Sequence, residues 1–141
     1  MAPIAIQIGA SKSQKENIFN EMSSSNIKFG IAFSEYFGSR DSSSIHFSNE
    51  KINGKTIFAI DCDYATDVLV SDASGKIGIV SIEDKNIEIV DLITVDKTRT
   101  YKEIKFSNAN VEILENTKKN TDAIEKALDA GRIITAADTL G

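Results

Sequence analysis

Between residues 56 and 114 the chain returns repeatedly to short runs rich in isoleucine and valine, separated by clusters of Asp, Asn, Ser, Gly and Lys. β-Branched side chains are stiff at χ1 and pack well on a pleated surface, so these runs predict strands. Residues 56–62 form a near-continuous apolar run, read as a central strand. Further strands are expected over residues 67–71, 76–82, 86–95, 100–107 and 109–114. The intervening Asp72-Ala73-Ser74-Gly75, Glu83-Asp84-Lys85 and Asp96-Lys97-Thr98 each carry turn chemistry. The single proline is Pro3, so no later segment is interrupted by that residue.

Toward the N-terminus, Ile4, Ile6 and Ile8 alternate with Ala5 and Gln7, which predicts a strand over residues 3–9. Ser13 with Glu16 spells a capping box for a helix to about residue 24. Residues 27–37 read as a long strand with Phe29, Ile31 and Phe33 on one face, followed by a polar loop over 38–44. A brief strand over 45–47 precedes Asn53-Gly54, a strong hairpin-turn signal. Thr121 caps a second helix whose buried stripe is Ala123, Ile124, Ala127 and Leu128, and Gly131 is its expected stop. The fold class is therefore α+β: a β-α-β start, then a mostly antiparallel β-meander, then a C-terminal helix, in one domain over residues 1–141.

Composition narrows the function classes. The net charge is −5, which argues against a duplex nucleic-acid partner, because neutralising phosphates needs a basic footprint. With one cysteine and one histidine, an internal disulfide and a Cys/His zinc site within one chain are both excluded. No apolar run approaches membrane-spanning length and no signal-peptide pattern opens the chain, so no membrane association and a cytoplasmic setting are expected, or host cytoplasm or virion if viral.

Three local arrangements carry chemistry. Gly9, Ser11, Lys12 and Ser13 form a turn into a helix N-terminus, where backbone N–H groups, hydroxyls and an ammonium suit an anion. The spacing is not that of a Walker A loop, and a tight turn with an N-cap explains the same residues. Glu35, Gly38 and Arg40 lie at the end of the second strand, where an arginine fork and a carboxylate form a ligand rim; surface ion pairing is the plain alternative. Asp61 and Asp63, two apart, share a strand face and offer oxygen ligands to Mg²⁺ or Ca²⁺, although charges at a strand end commonly return to solvent. His46 lies on a short strand without a nucleophile at useful spacing, and Cys62 in its apolar run reads as a small core residue. No catalytic constellation is evident.

The segment Ile27-Lys28-Phe29-Gly30-Ile31-Ala32-Phe33-Ser34-Glu35, followed by Gly38 and Arg40 and preceded by Ile8, Gly9 and Ser11, resembles the adenosine-specific kinase family of small archaeal and bacterial proteins. The resemblance covers about the first 40 residues and implies adenine-nucleotide binding near Glu35, Gly38 and Arg40, as a sponge, sensor or phosphotransferase. Residues 101–111 look like strands of phage tail-tube and related virion proteins. Two functions follow. The first is a non-catalytic, self-associating assembly or binding module of virion or tail type, with no cofactor. The second is an adenine-nucleotide-binding protein, with Mg²⁺ only in that case and a small anionic ligand or nucleotide as partner.

Overall fold

The computed structural model describes residues 1–37, 45–95, 97–116 and 120–140. The first element is a helix, α1 (Ala2–Gly9), not the expected strand. Its buried residues are Ala2, Ala5, Ile6 and Gly9, an i, i+3, i+4, i+7 set, and Pro3 sits in its first turn, where a missing N–H costs nothing. The alternating isoleucines were compatible with both periods; burial of the small residues decides for the helix. The β-α-β start is thereby corrected to a helical hairpin.

The second helix, α2 (Lys12–Ser23), begins two residues earlier than expected. Ser11 is its N-cap, accepting from the Gln14 amide at 3.4 Å, while Gln14 Oε1 accepts from the Ser11 amide at 3.1 Å. Gln14 also reaches across the fold, donating from Nε2 to the Ile113 carbonyl and accepting at Oε1 from the Glu115 amide.

Two four-stranded sheets follow. Strands β1 (Phe29–Ala32), β4 (Asp67–Ser71), β5 (Ile77–Ser81) and β8 (Glu112–Ile113) make the first, ordered β1-β4-β5-β8 with β1 and β4 parallel. Strands β2 (His46–Ser48), β3 (Lys51–Ala59), β7 (Tyr101–Asn110) and β6 (Ile87–Leu92) make the second, ordered β2-β3-β7-β6 and wholly antiparallel. A short 3₁₀ helix spans Ser34–Phe37 where the long second strand was expected to continue. The hairpins of the anticipated meander are thus shared between two sheets. The α+β class, the mainly antiparallel pairing and the C-terminal helix hold.

Burial explains the layering. On β4, Val68 and Val70 face the second sheet while Leu69 faces the helices, and all three are fully buried. A strand covered on both faces reads as a continuous apolar run. The order is helices, first sheet, second sheet, with a core on each side of the first sheet.

Two turn expectations are revised. The β2–β3 hairpin turns at Asn49 and Glu50, both with positive φ (47° and 58°), as a two-residue type I′ turn demands. Asn53 and Gly54 lie inside β3, beside a register shift. The last helix, α3 (Asn120–Leu140), passes straight through Gly131. A mid-helix glycine costs about 1 kcal/mol relative to alanine, and here its missing side chain leaves room for Met1.

Candidate functional site

The second sheet hands the chain back to the first through residues 57–63. Phe58 and Asp61 have φ of 57° and 58°, in a region that costs non-glycine residues of order 1–3 kcal/mol. Between them, Ile60 forms a lone antiparallel bridge with Ile31 of β1, with both backbone hydrogen bonds at 2.9 Å. Cys62 tucks beneath Gly30, where a Cβ would lie 2.6 Å from its Sγ, so close approach requires glycine at that position. Burial pushes the Cys62 thiol up to about 11, which keeps it a protonated core group.

This crossing sets up three neighbouring features. The Phe58 ring is more than half exposed and meets Tyr101 edge-on, with centroids 6.2 Å apart and planes at 86°. Asp63 is held by Lys102 Nζ at 2.6 Å and by the Thr100 hydroxyl, and these hydrogen bonds hold its carboxyl below the usual carboxylate range. The Lys102 ammonium, paired also with Asp91, is held above its ordinary value by the same contacts. Finally, a cavity of about 570 Å³ opens where α1, α2, β1, the crossing segment, the residues just before β7 and α3 converge. Met22, Phe29, Ile31, Ile60 and Ile134 give it an apolar wall, and Asp61, Thr98, Arg99 and Thr100 a polar one. Arg99 reaches Asp138 on α3 at 3.6 Å.

The residues singled out in the sequence are distributed differently from expectation. Gly9 ends α1 and packs against Leu114, Asn120 and Ala123, while its carbonyl accepts from the Asn116 amide at 3.0 Å. The Ser11 hydroxyl is engaged in capping, and Lys12 and Ser13 project outward. That turn joins two helices and lines none of the cavity around Arg99. Glu35 lies in the 3₁₀ helix, whose neighbour Ser34 hydrogen-bonds Thr56 at 2.9 Å; Gly38 and Arg40 fall outside the described residues. Asp61 and Asp63 do line one smaller cavity with Lys28, Tyr64 and Thr100, but Lys102 and Thr100 already engage Asp63. Among the described residues, no group of three or more His, Cys, Asp or Glu is placed to hold a metal ion. Likewise no helix among them is long and apolar enough to cross a membrane.

Phe58, Arg99 and Thr100 escaped sequence reasoning. Each lies in or beside a predicted strand or turn, and no spacing signal marks them. Arg99 and Thr100 meet Asp61 at the cavity, and the left-handed backbone of Phe58 and Asp61 is invisible in a sequence without glycine there.

No family model and no curated protein matches this chain. Solved structures do share its fold. An acyl-CoA dehydrogenase from Geobacillus kaustophilus superposes with a TM-score of 0.75 at 16% identity, over 96% of this chain and 41% of that one. The ChsE4–ChsE5 complex from Mycobacterium tuberculosis gives 0.66 at 14% identity, over 91% and 38%. A glutaryl-CoA dehydrogenase from Mycobacterium smegmatis in complex with FADH2 gives 0.59 at 10%, over 83% and 32%. The chain therefore spans about two fifths or less of the length of each. The last of these corrects the expectation of no cofactor, with Mg²⁺ only beside a nucleotide: a protein of this fold carries a flavin. The common ground shown by these likenesses is the two-sheet, helix-covered fold itself.

Proposed function

We propose that this chain is the β-rich module of an acyl-CoA-dehydrogenase-like flavoprotein, acting within a longer polypeptide or an assembly. The observation that carries the reading is an apolar cavity with a polar rim, lined by Ile60 and Asp61 of the strained segment that also carries the exposed Phe58, in a fold that acyl-CoA dehydrogenases share. A planar heteroaromatic ring stacks on such a side chain, and the strained backbone that presents Phe58 is the kind of cost that persists at binding sites. Phe58 and Tyr101 would hold the ring, and the cavity beside Ile60 would receive an apolar acyl group. A flavin bound there supplies two-electron acceptance. The residues of this chain bind, orient and exclude water: Ile31 and Ile60 fix the wall, and Asp61 and Arg99 make the rim polar.

The rest of the site comes from outside the described surface. Ile133, Ile134 and Leu140 on the distal half of α3 are exposed, as suits a helix covered by a partner or by further chain. An adenine-nucleotide site near Glu35, Gly38 and Arg40 is compatible with this reading, because FAD contains an adenine nucleotide.

The test is titration of FAD with the protein, followed by flavin fluorescence. Saturable quenching is expected, weakened roughly two- to tenfold in Phe58→Ala, the loss of one aromatic stacking contact. Absence of quenching, or quenching indifferent to Phe58, overturns the reading. Competition by ADP but not riboflavin would move the binding to the nucleotide end.

A further inference from the structure

Strand β6 ends before its sequence pattern does. Apolar alternation runs from Ile87 through Ile89 to Ile93 and Val95, broken only at Asp91, yet the strand stops at Leu92, opposite Tyr101 of β7. Ile93 and Val95 are fully exposed beyond it, and Val90 is half exposed within it. β6 is also the outer strand of its sheet, and among the described residues no strand pairs with its far side. The Ser107 amide donates to the Asn86 carbonyl at 2.9 Å, so the even-numbered residues of β6 turn their backbone groups toward β7. Those of Ile89 and Asp91 therefore point away from the sheet, whereas the Ile87 amide turns back to the Asp84 carbonyl. Charged side chains commonly guard such an edge. Here Glu88 and Asp91 are each matched by a lysine of β7, Lys105 at 3.9 Å and Lys102, which removes much of the repulsion they would offer.

We propose that this edge is a self-association surface, on which β6 of a second copy adds in antiparallel register with Val90 facing Val90 across a two-fold axis. The occupant follows from the strand's own sequence. A two-fold axis normal to the sheet keeps each face on its own side, so residues of the same parity oppose one another. Centring the pair on Asp91 sets two carboxylates face to face, and centring it on Ile89 or Leu92 sets Ile93 against Lys85 or Asp91. Centring it on Val90 sets Glu88 against Leu92 and Ile93 against Ile87, which already packs on the core between the sheets. No like charges are then opposed along the strand. Ile89 and Asp91 exchange their outward N–H and C=O groups, and the exposed Ile93 gains an apolar neighbour. Strand addition of this kind buries less than a standard protein interface, so the dimer forms at micromolar rather than nanomolar concentration. The inference is independent of the flavin reading.

The experiment is sedimentation velocity of the full chain over a concentration series, for the wild type and Val90→Lys. The wild type should pass from monomer to dimer. Val90→Lys should raise the dissociation constant at least about tenfold, because it sets two ammonium groups on the axis in place of an apolar contact. Val90 is already half exposed, so circular dichroism should show the variant folded. Crosslinking reads the register. Opposed residues that do not exchange hydrogen bonds have Cα atoms about 4.5 Å apart, within disulfide range, so Val90→Cys should give a dimer on a non-reducing gel after mild oxidation. Leu92→Cys should not, since Leu92 faces Glu88 in this register. Native Cys62 is buried and does not compete. A wild type that stays monomeric throughout leaves the edge to a different partner and overturns the proposal. A dimer unweakened by Val90→Lys, or Leu92→Cys crosslinking as readily as Val90→Cys, overturns it equally.

Discussion

The two walls of the cavity are built in different ways. The sheet wall is pinned: Ile31 and Ile60 exchange backbone hydrogen bonds, Cys62 fills the space under Gly30, and Lys102 clamps Asp63 just beyond. The helix wall is pinned at one end only. Ala123, Ile124 and Ala127 in the first half of α3 are fully buried against α1, whereas Ile134 in the second half is 64% exposed. The ion pair from that second half to the sheet side, Arg99 to Asp138, is long and exposed at both ends, and such pairs contribute about 0–1 kcal/mol. One wall is a fixed template and the other is an unfinished surface. Stability and ligand fit therefore depend on different residues of the same cavity.

The largest expected contrast is between two isoleucines that face the same space. Ile31 is 5% exposed and belongs to the helix-side core, so Ile31→Ala should lose about 2–5 kcal/mol, as large-to-small core changes do. Ile134→Ala should stay within about 0.5 kcal/mol, the range of surface substitutions. Urea midpoints at constant slope would measure both. Similar losses for the two would mean that the helix wall is as fixed as the sheet wall, and the comparison would fail.

Glycines sharpen the contrast by sign. At Gly30 a methyl group meets Cys62 Sγ at 2.6 Å and the Ile60 carbonyl at 3.2 Å, one of them backbone, so Gly30→Ala should cost about 1–3 kcal/mol by overpacking. At Gly131 the opposing atom is the tip of a flexible side chain, and Gly131→Ala should instead raise stability by up to about 1 kcal/mol through helix propensity. Thermal melts of the two variants should move in opposite directions. A shared direction would contradict the account of which wall has room.

What the sequence disclosed follows the same division. The pinned parts were legible wherever burial imposes a period: the Val68-Leu69-Val70 run, the Ala123, Ile124, Ala127 stripe and most strand positions came directly from pattern. Residues 3–9 were misread because three alternating isoleucines satisfy a strand while Ala2, Ala5, Ile6 and Gly9 satisfy a helix, and only the packing partner decides. The Asn53-Gly54 signal lost to Asn49-Glu50, since the hairpin register is set by pairing with β7 as much as by turn chemistry. The site itself was illegible for a further reason. Its walls come from six separated segments, and the positive φ at Phe58 and Asp61 is held by tertiary contacts rather than by residue type. Gly131 reads from the sequence as a helix stop, yet it lies inside α3 against Met1, a packing contact to which a local rule has no access.

The smallest expected effect concerns the clamp on the sheet wall, and it is separable by pH. Hydrogen bonds from Lys102 and Thr100 depress the Asp63 carboxyl, so its contribution is present above the unfolded carboxylate value of about 3.9 and is lost as pH falls through the lower folded value. Asp63 and Asp91 together raise Lys102, so that contribution is present below about 10.4 and is lost as pH rises through the higher folded value. Between these limits the clamp is intact. Lys102→Met keeps much of the apolar stem and removes the charge. Its melting temperature should fall slightly below that of the wild type at neutral pH, and the gap should close as the solution is acidified past the folded Asp63 value. Melts at steps from about pH 7 to about pH 2 would follow it across the carboxylate range. A gap that persists unchanged into strong acid would assign the effect to packing of the lysine stem, and the sheet wall would then be fixed by shape alone.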